Sequence, residues 1–445
     1  MKTVARFLIA VWPFPGHFFP LIAIAQALRE RGHTAAFYTG AKARPIIAAE
    51  GFTCFPFERI DEKRVEAIMF SRSVYTSRRQ PLQLQALLRE WLLGTLPQQV
   101  TDLTSLLDAW PPDVLVSETS MLAPMLVLQE TRRMPVAVFS TVVACLLPGP
   151  EAPPFGLGLP RPHNWRARLL ARLARRASDL LGLGFRRAAN QLRESYGLKP
   201  LSVSVTEFTG QMPLYLVPSV PEFDYGRRDL PPSVHYIGPC LWNKPSREPA
   251  PLWLAQLPHD RPVVHVTEGT MHTEKPLVLR TAAQALADLP VNVVMTTGGN
   301  REPAELGLGP LAPNIRVERW VAHSDLLPRT QLVVTTGGAG TVMAVLAAGV
   351  PLVIVPTDWD KPENAQRVVE AGAGLRLPLR HCQPERLRAA VERVLAEPAF
   401  RQNAERLAAV FRRVRGPQRA AELLEDLALG QIVNVRAAPS SVPIQ

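Results

Sequence analysis

The sequence predicts an α/β protein made of two doubly wound parallel-sheet domains in series. Short apolar, β-branched runs alternate with helical patterns along the whole chain, as parallel α/β sheets require. A stretch rich in proline and charge but without period, "GPCLWNKPSREPAPLWLAQLPHDRP", divides the chain near its middle and reads as a linker. The 445 residues also exceed what one hydrophobic core ordinarily serves.

In the first half, strands are predicted at Val4–Val11, Thr34–Thr39, Asp113–Glu118, Val136–Thr141 and Leu214–Ser219. In the second they fall at Val263–Gly269, Val291–Gly298, Ile315–Trp320, Leu332–Thr336 and Pro351–Thr357. The domains are accordingly 1–241 and 263–396, joined by a linker at 242–262 whose boundary lies near Trp242–Pro251. A helical segment, 397–430, follows, and 431–445 reads as a frayed tail. The opening "MKTVARFLIAVWPFPGH" has a short apolar core that meets Pro13 and Pro15, so it reads as a first strand and not as a signal peptide. No apolar run reaches the roughly 20 residues that span a bilayer. Cytoplasm is the expected location.

Hydrophobic residues make up 47% and charged residues 20%, which excludes a disordered or fibrous chain. Cys54, Cys145, Cys240 and Cys382 lack metal-ligand or redox spacing and read as idle thiols. The net charge of +11 is uneven: between Arg161 and Lys199 ten Lys/Arg face two Asp/Glu. Leucine and arginine interleave there at helical spacing. Such a stretch either rests peripherally on an anionic membrane or forms a solvated helix pair over a cleft, with arginine stems lying on apolar surface. Nucleic acid is not an expected partner, because no aromatic-interleaved platform accompanies the charge.

Two glycine turns sit at strand ends. Gly337, Gly338 and Gly340 follow one strand, and Thr341 opens the expected helix Val342–Ala348. Glycine lets a backbone approach a ligand, and a helix amino end suits a phosphate; a turn of this kind also serves tight packing alone. "TEGT" (Thr267–Thr270) closes another strand of the same half. In the first half Gly16 turns the chain, His17 follows, and Pro20 is expected to start a helix. A histidine at that mouth has the pKa of a general base, set among Phe14, Phe18 and Phe19. His33 is expected to cap the helix end.

These motifs resemble those of the family 1 glycosyltransferases of GT-B fold, which glycosylate small molecules from nucleotide sugars. The resemblance runs from about Val4 to Leu427. It rests on "PGHFFPLIAIAQALRERGH" and on "VERWVAHSDLLPRTQLVVTTGGAGTVMAVLAAGVPLVIVPTDWDKPENAQRVVEAGAGLRL". It implies two Rossmann-like domains facing across a cleft, acceptor in the first and donor in the second, with a helix around Pro398–Leu427 crossing back. It implies His17 as general base oriented by Glu118, where glutamate stands in the family's aspartate position. Trp320 would stack on the nucleotide base and His323 would meet its edge. Thr270, Gly338, Gly340 and Thr341 would hold the diphosphate, Asp360 and Lys361 the sugar, and Asn364 would lie beside the phosphates.

Three further departures bear on the donor. Thr336 replaces a phosphate-binding histidine, so a hydroxyl offers one hydrogen bond and no charge. Ala344 replaces a glutamate that grips ribose hydroxyls, which makes a dTDP-sugar as plausible as a UDP-sugar. Lys361 replaces a glutamine, exchanging an amide for a donor-only ammonium. Glu268 is expected to face away from a diphosphate. The implied activity is inverting transfer to a hydroxyl of a small apolar or lipid-like acceptor, with no cofactor and no metal. The segment Phe70–Trp91 and the phenylalanines near His17 are candidates for the acceptor wall. A nucleotide-sugar epimerase and a non-catalytic sugar-nucleotide binder are the alternatives.

Overall fold

The computed structural model describes residues 4–69, 81–242, 250–270, 276–299 and 301–431. The first lobe holds seven strands: β1 (Arg6–Ala10), β2 (Thr34–Thr39), β3 (Thr53–Pro56), β4 (Val114–Glu118), β5 (Val136–Phe139), β6 (Leu214–Val217) and β7 (Val234–Tyr236). Their order is β3-β2-β1-β4-β5-β6-β7. The second lobe holds six: β8 (Val263–Thr267), β9 (Asn292–Thr296), β10 (Ile315–Glu318), β11 (Thr330–Thr335), β12 (Leu352–Ile354) and β13 (Gly374–Arg376). Their order is β10-β9-β8-β11-β12-β13. Every pair is parallel.

All ten expected strands form, and all but β2 and β4 end earlier than expected because the loops that follow them leave the sheet. The three that sequence reading passed over, β3, β7 and β13, each lie at or near a sheet edge and span three or four residues. Strands so short carry no readable period. The inner strands β4, β5, β6, β8 and β9 are buried throughout, because helices cover both faces of a doubly wound sheet.

Each sheet reverses its winding once, between β1 and β4 and between β8 and β11. Ligands bind beyond the carboxyl ends of strands at such points. Ala10 pairs with Ser117, so the loop carrying His17 emerges beside Glu118. Thr335 pairs with Thr267, so the two glycine turns emerge side by side.

Helix Pro398–Val414 packs on the second lobe through Ala404, Leu407 and Phe411. The chain reverses at Arg415 (φ 50°), and helix Gly416–Ala428 packs on helix Pro15–Glu30 of the first lobe through Ala420, Leu424 and Leu427. A Cβ at Gly416 would lie 2.3 Å from the Pro239 carbonyl oxygen, so the contact between the loop after β7 and the crossing helix admits only glycine there. Glu425 ties this helix to Arg31 and faces His33 Nε2 at 3.5 Å.

Four local expectations are corrected. Helix Pro15–Glu30 begins with Pro15, and Pro20 lies inside it, because Pro15 already occupies the first-turn position that needs no N–H. Gly32 (φ 90°) terminates that helix, while the His33 ring is buried and accepts from the Ala5 amide at 3.2 Å. Residues 165–195 form one helix, Trp165–Ser195, and not a pair; Asn164 caps it by accepting from the Ala167 amide at 2.9 Å. Phe18 belongs to the core between helix and sheet and does not face the cleft. Of the expected linker and tail, residues 243–249 and 432–445 lie outside the described residues. Among the described residues no helix is long and apolar enough to cross a membrane.

Candidate active site

On the first lobe, Phe14 is extended (φ −97°, ψ 130°) and starts the helix that carries His17 in its first turn. His17 Nδ1 lies 3.2 Å from Glu118 Oε1. Glu118 is buried at the end of β4. Its carboxylate also accepts from the Ser120 amide at 2.7 Å and the Ser120 hydroxyl at 2.8 Å. Folding back over Ser120 takes up the extra methylene of glutamate, so the carboxylate still reaches the imidazole. A carboxylate only accepts, so Nδ1 carries the proton and Nε2 keeps its lone pair.

On the second lobe, the three glycines differ. Gly337 has φ 92° and a Cβ there would lie 2.6 Å from Ile354 Cγ2; the fold itself demands glycine. Gly338 has φ −61°, and a Cβ at Gly338 or Gly340 meets nothing within 4 Å. Neither strain nor packing requires those two, and both border the open cleft. The helix starts at Ala339, earlier than expected, which puts Thr341 in its first turn with the unpaired amides. Gly338→Ala is therefore expected to leave the melting temperature unchanged while weakening nucleoside-diphosphate binding by about tenfold, the worth of one hydrogen bond to a charged group. Calorimetry and a thermal melt on the same sample separate the two effects.

The other residues expected on the donor side divide into those that line the cleft and those that hold its wall, with Lys361 doing both. Thr270, Thr341, Asp360 and Lys361 line the cavity. The Thr336 hydroxyl donates to the Glu268 carbonyl at 3.0 Å, so it is committed inside the wall. Glu268 turns its carboxylate to the Val278 amide at 2.8 Å, and burial pushes its pKa up. Asn364 is buried and donates to the Gly337 carbonyl and to Asp360 Oδ2, both at 2.8 Å; it braces the glycine turn. The Lys361 ammonium donates to Asp358 Oδ1 and Thr357 Oγ1, both at 2.9 Å, so its charge is neutralised within the wall. Burial raises the Asp360 carboxyl, and the nearby His17 is among the groups that pull it back.

One cavity of about 1120 Å³ joins the two sides. His17, Thr270, Trp320, His323, Gly338, Gly340 and Thr341 all line it. Near His17, Phe14 meets Trp91 at 6.2 Å within the first lobe, and Trp91 meets Trp359 of the second lobe at 6.1 Å. Trp320 is 41% exposed and lies nearly parallel to His323, centroids 6.5 Å apart. Burial lowers the His323 pKa, which keeps it neutral at neutral pH. His265 behind it bonds Thr296 Oγ1 at 3.0 Å, and burial lowers its pKa to about 3. Below 6.5 the unfolded chain takes up a proton at His265 that the folded chain refuses until about 3, so stability is lost as the pH is lowered through that window. His265→Gln is expected to flatten the decline in melting temperature over the same range.

Sequence reading passed over two parts of this site. Trp359 adopts φ 54°, a costly conformation for a bulky residue, and lines the cavity between Asp358 and Asp360. Arg367 is buried between Asp224 Oδ1, at 2.9 and 2.7 Å, and Glu363 Oε2, at 2.9 Å. Glu363 in turn accepts from the amides of Gly156 and Gly158 on the first lobe. No local pattern signals this network, since its carboxylates are contributed by both lobes.

A family model described as the C-terminal domain of erythromycin biosynthesis protein CIII-like proteins matches residues 280–427. The chain is 34% identical over 436 residues to the 4'-demethylrebeccamycin synthase of Lentzea aerocolonigenes, covering 95% of this chain and 99% of that protein. The chain belongs to the family 1, GT-B glycosyltransferases of natural-product type. The solved calicheamicin glycosyltransferase CalG4 superposes with a TM-score of 0.69 at 25% identity, covering 97% of this glycosyltransferase and all (100%) of that one. The glycosyltransferase VinC, solved in complex with dTDP, superposes at 0.67 and 22% identity over 95% of this chain and 99% of that one. Family membership decides for a transferase over the epimerase and the non-catalytic binder. This glycosyltransferase thus uses a nucleotide-sugar donor and a small-molecule acceptor.

Proposed function

We propose that this glycosyltransferase moves a sugar from a dTDP-sugar to a hydroxyl of an apolar small molecule, with inversion. The observation that carries the reading is the shared cavity: His17 with its Glu118 partner on one wall, and the Gly338–Gly340 turn on the other. His17 Nε2 takes the acceptor proton as the acceptor oxygen forms its bond to the anomeric carbon. The bond from that carbon to the diphosphate oxygen breaks, and the electron pair leaves with dTDP. First-turn amides, the helix dipole and Thr341 stabilise that anion, and Trp320 supplies a stacking face for the base. Thr336 and Asn364 act from behind, bracing the wall, and Lys361 lines it with its charge already paired to Asp358.

The first lobe (1–241) takes the acceptor and the second (263–396) the donor. Phe14, Phe19, Leu88, Trp91, Leu122 and Leu147 make the acceptor wall apolar; residues 70–80 of the expected wall segment lie outside the described residues. Ala344 lines the donor side, where a carboxylate would reward a ribose 2′-hydroxyl, and VinC, of the same fold, was solved with dTDP. A thermal-shift comparison of dTDP, UDP and their sugars tests the donor. A larger rise with dTDP is expected, and selective stabilisation by UDP would reverse the assignment.

A further inference from the structure

Helix Trp165–Ser195 is turned inside out relative to an ordinary amphipathic helix of a globular protein. At 100° per residue, Trp165, Leu169, Leu170, Leu173, Leu180 and Leu181 occupy one arc, and Ser178, Gly182 and Phe185 lie off it. The residues off the arc line the reaction cavity. The leucine arc faces solvent: Trp165 and Leu180 are each 68% exposed and Leu170 is 65% exposed. An apolar stripe normally seeks the core, so this one is shaped for a partner that the described residues do not supply.

The charge says which partner. Between residues 165 and 187 there are seven arginines and one acid, Asp179. Arg166, Arg176 and Arg187 project within or beside the leucine arc, and Arg168 and Arg172 flank it. A second copy laid on this face would oppose arginine with arginine. An anionic lipid surface satisfies both features, taking the leucines below its headgroups and pairing the guanidiniums with phosphates. We propose that this helix docks the enzyme on anionic membrane surfaces, with the acceptor side of the cavity toward the bilayer. The helix lies on the bilayer and does not cross it. This goes beyond the transfer reaction and does not depend on the choice of donor.

The test is co-sedimentation of the full chain with vesicles of phosphatidylcholine alone and of an equimolar phosphatidylcholine–phosphatidylglycerol mixture, at low and high salt. A variant carrying Leu169→Glu, Leu173→Glu and Leu180→Glu is run beside it. All three positions are exposed and lie outside the cavity lining, and an unchanged melt verifies that the variant folds. The wild type is expected to sediment with the anionic vesicles only, to be released by salt, and to lose at least about tenfold in affinity in the variant. Failure of the wild type to bind anionic vesicles overturns the proposal. So does binding by the variant equal to wild type. A vesicle-free dimer that the variant dissolves, seen by sedimentation velocity, would assign the arc to a second copy instead.

Discussion

His17→Ala is expected to lower kcat by about 10²–10⁴-fold, the usual worth of a general base, while leaving donor affinity near the wild-type value. The split follows from where the side chain sits. Its ring contacts Glu118 and Phe14 on the first lobe, whereas the proposed diphosphate cradle is the backbone of the glycine turn on the second. Removing the imidazole takes away the proton acceptor and leaves the cradle intact. Glu118→Gln is expected to reduce turnover less, because an amide still holds the ring but withdraws the charge that stabilises the imidazolium. Turnover by His17→Ala equal to wild type would remove the histidine from the chemistry. A large loss of donor affinity would instead give it a role in the cradle.

Arg367→Met should cost about 3–5 kcal/mol of stability, the penalty for stranding a buried charge by deleting its partner. Arg367 touches Asp224, Glu363 and the face of Tyr225, whose ring centroid is 4.3 Å from the guanidinium. Without it, two buried carboxylates face each other with no cation between them. Asp224 also accepts from the Cys145 amide at 2.7 Å and the Tyr236 hydroxyl at 2.8 Å, so the damage reaches the first-lobe core. Glu363 would lose its orientation, and with it the hold on the Gly156–Gly158 loop that borders the cavity. Activity should therefore fall together with the melting temperature. A triple variant, Asp224→Asn, Glu363→Gln and Arg367→Met, is expected to recover part of the lost stability, since a neutral set leaves no charge unpaired. A single variant that melts with the wild type would show the ion pairs to be incidental.

Much of the architecture was legible before any coordinates. The alternation of β-branched runs and helical patterns located ten strands. Glycine and threonine at two strand ends, and the histidine after the first strand, marked residues that the fold brings to one cavity. The strand readings hold because backbone preference and hydrophobic period are written in neighbouring residues. What failed locally failed for local reasons. Pro20 imitated a helix start that Pro15 already provided, and His33 imitated a cap whose work Gly32 does.

Other features were decided only by tertiary structure, because a side chain's partner depends on which elements become neighbours. His17 meets an acid 101 residues away through the β1–β4 register. Arg367 finds Asp224 at a separation of 143 residues, on the other lobe. Lys361 reads in the sequence as a cation near a sugar, yet Asp358 on the same turn neutralises it. The sequence by itself determined two parallel α/β lobes, a glycine cradle and a poised imidazole. Only the packed molecule decided that glycine turn and imidazole share one cavity, which charges are spent in its walls, and that Leu169, Leu170, Leu173, Leu180 and Leu181 face outward. Burial and ion pairing are properties of surfaces brought together from distant parts of the chain, and no local pattern encodes them.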